Sequence, residues 1–154
     1  MPIANIGSIL SSAIQIGGNA TETAVARAYL IRHVDDFDRV EFAVGMGPGI
    51  TLPAGTPAYV QTSATASTKP RADMVLFRGD YATIVEVKDR LYSAVMGQLL
   101  TYWHMFTVDS PQYRQVYKVA AGISIQDGLQ PILDQYGIQV ELYPFAVQAS
   151  APNS

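Results

Sequence analysis

A chain of 154 residues with 49% hydrophobic content is the size of one domain with one core, and its 15% charged content is too low for a disordered polyelectrolyte. The net charge of −3 and pI near 5.2 exclude nucleic-acid binding through overall charge, so any such binding must be local. The absence of cysteine excludes disulfides, thiolate zinc sites and thiol nucleophiles, leaving oxygen and imidazole as metal ligands.

The chain opens with an apolar extension, residues 1–18, in which positions 3–16 are compatible with a short helix ended by "GGN". The first 20 residues carry no Lys or Arg and are interrupted by Gly, Ser and Asn, which argues against an export signal. No window approaches the roughly 18 unbroken apolar residues of a membrane span. The expectation is an intracellular, cytoplasmic protein with no membrane partner, of the kind a virus or mobile element also encodes. Asn19 or Thr21 then caps a second helix running to about His33. Glu22 stands at the head of its buried stripe, with Val25, Ala26 and Tyr29 three, four and seven residues further on.

"RVEFAVGM" from Arg39 reads as a strand. Residues 45–72 read as a long flexible loop: four Gly and four Pro fall between Gly45 and Pro70, and only "AYVQT" at 58–62 resembles a strand. "DMVLF" and "YATIVEV" are two apolar strands joined by "RGD", a hairpin signal. Two-residue periodicity puts Asp73, Val75 and Phe77 on one face, and Ile84, Glu86 and Lys88 on one face of the partner strand. A helix over about Ser93–Phe106, a strand "VYKVAAGISI", a helix ended by Gly137 and a strand "IQVELYPF" complete the chain before a frayed tail, 148–154. This order predicts a single α/β domain built on a central mixed β-sheet flanked by helices.

Charges inside apolar strands need a reason. Each has an ordinary one: Glu86 and Lys88 as a solvated stripe, Asp73 as a turn cap, Glu22 as an acid favoured at a helix N-terminus, and Gln98 and Tyr102 as helix packing. Together they also suit metal-assisted phosphodiester hydrolysis. A hard divalent cation takes one or two carboxylates from a protein, and an ammonium beside it can position water or offset developing charge. The apolar neighbours Ile84 and Val85 favour a buried strand, and hence a functional reason for Glu86 and Lys88. Neither His33 nor His104 has a partner at metal-ligand spacing.

Asp73, twelve intervening residues, then "EVK" at 86–88 resembles the signature of the PD-(D/E)XK nuclease superfamily, which includes restriction endonucleases, Holliday junction resolvases and RecB-like nucleases. "KPRAD" departs slightly, with its Pro three places before the aspartate. "GQLLTYW" at 97–103 resembles the Q-x-x-x-Y element of RecB-like members, although Gln98 follows Lys88 by only ten residues, and Glu22 matches an acidic residue many members carry on their first helix. The resemblance covers residues 20–145 in element order and about six positions in identity.

The resemblance implies a restriction-endonuclease-like core and a magnesium- or manganese-dependent deoxyribonuclease. Asp73, Glu86, the Val87 carbonyl and Glu22 would be its metal ligands, Lys88 would activate or position water, and Gln98 would orient the lysine or a phosphate. It further implies DNA contacts from Lys69, Arg71, Arg78, Arg90 and Tyr102, and a homodimer with two sites for two strands. The alternatives are a non-catalytic DNA-binding or structural protein on the same scaffold, and a membrane-surface protein using its apolar N-terminus. No base-reading element is recognisable, so structure-selective or nonspecific cleavage, rather than narrow sequence specificity, is the expectation.

Overall fold

The computed structural model describes residues 6–12, 19–49 and 51–146. The outer parts of the apolar extension and the tail 148–154, expected to fray, lie outside the described residues. Helix α1 (Ile6–Ser12) precedes α2 (Ala20–Arg32). The Asn19 side chain accepts the Glu22 N–H at 2.7 Å, supplying one of the missing partners of the first turn, and Arg32 stands favourably in the last. The α2 stripe of Val25, Ala26, Tyr29 and Leu30 is buried as its spacing predicts.

Among the described residues seven strands follow: β1 (Arg39–Gly45), β2 (Arg71–Arg78), β3 (Tyr81–Val87), β4 (Arg90–Leu91), β5 (Gln115–Gly122), β6 (Ser124–Ile125) and β7 (Ile138–Leu142). Among them lie helices α3 (Ala58–Thr68), α4 (Ala94–Asp109) and α5 (Leu129–Gln135). Five strands form one mixed sheet in the order β1-β2-β3-β5-β7. The first three are antiparallel, joined between β2 and β3 by a two-residue turn in which Gly79 takes the φ of 56° that a tight hairpin turn requires. Strands β3, β5 and β7 are parallel, with α4 and α5 as the crossovers such pairing needs. The chain is therefore α/β, a central mixed sheet flanked by helices, as the element order predicts.

The sheet buries both faces. Val75, Phe77 and Ile84 pack with Leu99 and Phe106 of α4 and Leu133 of α5, while Met74, Leu76, Val85 and Val87 pack with Val25, Ala26 and Leu30 of α2. Strands covered on both sides lose polar alternation, which is why β2 and β3 read as apolar runs.

Three sequence expectations are corrected. "AYVQT" is the first part of helix α3, not a strand, so residues 45–72 are not one irregular loop: α3 occupies 58–68 and β2 begins at Arg71. Five residues are too few to separate the two periodicities, and Pro57, whose fixed φ suits a helix start, decides it. "VYKVAAGISI" is two strands, since β5 ends at Gly122 and β6 pairs with β4 in a separate two-stranded sheet. The last strand ends at Leu142.

Candidate metal and phosphodiester site

The β2–β3 register pairs Met74 with Val85 and Val75 with Ile84, and one further step sets Asp73 opposite Glu86. Both carboxylates therefore lie on the α4 side of the sheet, the face occupied by Val75 and Ile84. An Asp73 oxygen accepts the Val87 N–H at 2.7 Å, a short charge-assisted bond that fixes that carboxylate at the strand end. The Lys88 N–H donates to the Ala121 carbonyl, so both main-chain polar groups of Val87 point the other way, towards β2 and Asp73. The Val87 side chain is fully buried in the α2 layer.

Glu86 is only 3% exposed. Burial and then the adjacent Asp73 charge push its carboxyl up to about 9, against a smaller downward pull from Lys88. The Lys88 Nζ stands 3.6 Å from Glu86 Oε1, while Glu86 Oε2 is buried without a hydrogen-bond partner among the protein groups. Gln98 Oε1 is a second such oxygen. A buried polar atom without a partner costs about 1–3 kcal/mol, and the Glu86 oxygen, beside Asp73, is in a position to receive a cation or its water.

Tyr102, one helical turn after Gln98 on α4, is only 7% exposed. Desolvation and the Glu86 and Asp73 charges push its phenol up to about 12. It lies close enough to feel both carboxylates and is largely withdrawn from the surface. Glu22 is near enough to feel Lys88, Asp89 and Asp73; burial raises its carboxyl and Lys88 opposes the rise. The N-terminus of α2 thus reaches the same end of the sheet although α2 packs on the other face.

The basic residues divide. Lys69 packs its stem beside Gly45, and Arg71 donates to the Ala43 carbonyl at 3.1 Å, both at the strand ends near Asp73. Arg90 follows Lys88 by two residues on β4. Arg78 is not with them. It ends β2, about 17 Å along the strand from Asp73, and donates to the Asp35 carbonyl. A pocket of about 280 Å³ lies at that remote end, among Tyr29, His33, Phe37, Arg78, Tyr117 and Glu141. Its ionisable groups satisfy one another: His33 bonds Asp36 and Glu141, each at 2.8 Å.

Sequence reasoning missed two features of the site. Ala43 has φ 49°, unusual for a residue with a side chain, and the β1–β2 register sets it opposite Asp73. Gly122 approaches the chain just after β3 so closely that a Cβ would lie 3.0 Å from the Lys88 carbonyl oxygen and 3.1 Å from Leu91 Cγ. An isolated Gly inside a strand pattern is the signal for such an approach, and "AAGISI" carried it.

Among the described residues no group of three or more His, Asp or Glu side chains is arranged to hold a metal ion, and no helix is long and apolar enough to cross a membrane. Two carboxylates with a main-chain carbonyl suffice for magnesium, which keeps several of its waters, and the partnerless Glu86 oxygen makes the donor set fit.

No protein-family profile matches the chain, and no curated protein matches it in sequence. A solved structure described as protein of unknown function AF1548 resembles it with a TM-score of 0.41 at 12% identity, over 79% of this chain. The chain spans 57% of that protein's length.

Proposed function

We propose that this chain is a magnesium- or manganese-dependent deoxyribonuclease that hydrolyses phosphodiester bonds in a structure-selective or nonspecific manner, in the way the Holliday junction resolvases of the PD-(D/E)XK superfamily do. The observation that carries this is Glu86: a carboxylate withdrawn from water, opposite Asp73, 3.6 Å from the Lys88 ammonium, with one oxygen lacking a partner. Burying Glu86 beside the half-buried Asp73 is unfavourable, and a structural role would be served better by apolar side chains. Such sites are a recurrent place for function.

Asp73, Glu86 and the Val87 carbonyl would hold the cation, with Glu22 at its margin. A divalent ion there supplies positive charge to the phosphoryl group and favours ionisation of water. Lys88 positions the attacking water and offsets the negative charge that grows on the phosphoryl oxygens. Gln98 orients Lys88 or a non-bridging oxygen. Lys69, Arg71 and Arg90 hold the flanking phosphates, which reconciles DNA binding with a net negative chain. A homodimer, carrying one site per strand, and an intracellular, cytoplasmic location complete the reading.

Cleavage of linear, circular, single-stranded and branched DNA in magnesium is the test, with Asp73→Ala, Glu86→Ala and Lys88→Ala as variants. The proposal expects each variant to lose at least about a hundredfold in rate. Full activity in Glu86→Ala would end it. The alternative is a non-catalytic DNA-binding or structural protein on the same scaffold. Calorimetry that detects DNA binding but no magnesium or manganese binding would select that one.

A further inference from the structure

The segment that follows Lys88 forms a ledge. Strands β4 and β6 pair Arg90 with Ser124 and Leu91 with Ile125. Its main chain is pinned at successive points: Ile123 N–H donates to the Asp89 carbonyl at 2.8 Å, Gln126 N–H to the Leu91 carbonyl at 2.9 Å and Val95 N–H to the Tyr92 carbonyl at 3.1 Å. Leu91 is fully buried beneath it and packs on Gly122. On this rigid support Tyr92 is 56% exposed, with the Arg90 guanidinium 5.6 Å from its ring centroid and an Arg90 nitrogen 3.4 Å from Ser124 Oγ.

We propose that this ledge is a stacking platform for one unpaired nucleobase beside the scissile phosphate, with Tyr92 supplying the ring and Arg90 the cation over it. The proposal rests on the nuclease reading and names its substrate form. Tyr92 lies four residues after Lys88, so its Cα is within about 14 Å of the lysine, or at most about four base rises along one strand. A ring held on a fixed backbone loses little freedom when a base covers it. Every base has a stackable face, so such a platform selects structure without reading sequence. In a duplex interior both faces of a base are already covered by its neighbours, so Tyr92 engages only a base at a single-stranded, flapped or frayed position. The Arg90 guanidinium beside the ring favours a nucleic acid over an apolar peptide as the occupant, with Asp89 the one opposing charge between Lys88 and Tyr92.

The test uses the full chain and two DNA probes of one sequence, a blunt duplex and the same duplex with a single-stranded overhang carrying 2-aminopurine, titrated in EDTA so that no cutting occurs. Wild type should bind the overhang more tightly than the blunt duplex and quench the probe. Tyr92→Ala should lose about tenfold in affinity for the overhang and the quenching, with blunt-duplex binding unchanged, while Tyr92→Phe stays within about twofold of wild type. Equal effects of Tyr92→Ala on the two probes, or no effect, would overturn the platform. The nuclease reading is judged apart, by magnesium-dependent cleavage in wild type against Glu86→Gln. Cleavage that needs Glu86 but ignores Tyr92 rejects only the platform, and overhang binding that needs Tyr92 without any cleavage rejects only the catalysis.

Discussion

Glu86 concentrates the energetics of the site. With its folded pKa raised to about 9 from 4.5, the folded chain binds this proton more readily than the unfolded chain across that interval. The sign follows: its contribution to stability is fully present at low pH and is lost as pH rises from about 4.5 towards 9 in the metal-free protein. Urea midpoints of Glu86→Gln measured across pH 5 to 9 should therefore fall less steeply than those of wild type, and lie above them at the alkaline end. A divalent cation would displace the same proton. Calorimetric titration with magnesium near pH 7, in buffers of different ionisation enthalpy, should accordingly show release of about one proton, absent in Glu86→Gln. Much of this site was legible at the residue scale, because charges interrupting apolar runs are costly and therefore informative. The buried setting of Tyr102 was not legible: helical spacing puts it near Gln98 without saying that α4 turns both inward.

At the scale of elements, the hairpin was readable because "RGD" between two apolar runs specifies its turn, and the turn fixes the register that sets Asp73 opposite Glu86. Strand β4 was not readable, since two residues have no periodicity and pair only because β5 delivers β6 beside them. Helix α3 was misread for a related reason: its Ser, Thr and Ala residues form no strong apolar stripe, and none of its described side chains is fully buried. Two substitutions test how the elements hold the site. Gly122→Ala, which drives a methyl against the Lys88 carbonyl and Leu91, should destabilise the fold by about 1–3 kcal/mol in chemical denaturation. Ala43→Gly should stabilise it by about 1 kcal/mol, because glycine adopts the observed φ without the clash a Cβ meets. A destabilised Ala43→Gly protein would mean that the strand-end geometry beside Asp73 is not strained.

At the scale of the whole molecule, the sheet places Glu22, Asp73, Glu86, Lys88 and the Gln98–Tyr102 face of α4 at one end, from elements spread over most of the chain. The architecture followed from element order alone, because a meander succeeded by two helical crossovers leaves few arrangements of a mixed sheet. The distribution of basic residues did not: Arg78 is close to Asp73 in sequence yet remote along β2. This division makes a prediction about DNA. Arg71→Ala should lower the slope of log affinity against log salt by about one, and Arg78→Ala should leave it unchanged. The most direct test of the central claim is the rate at which purified protein cuts branched and single-stranded DNA in magnesium, compared between wild type and Glu86→Gln. Wild type should cleave, EDTA should abolish that cleavage and Glu86→Gln should lack it; equal cleavage by the two proteins would remove Glu86 from the catalytic role proposed for it.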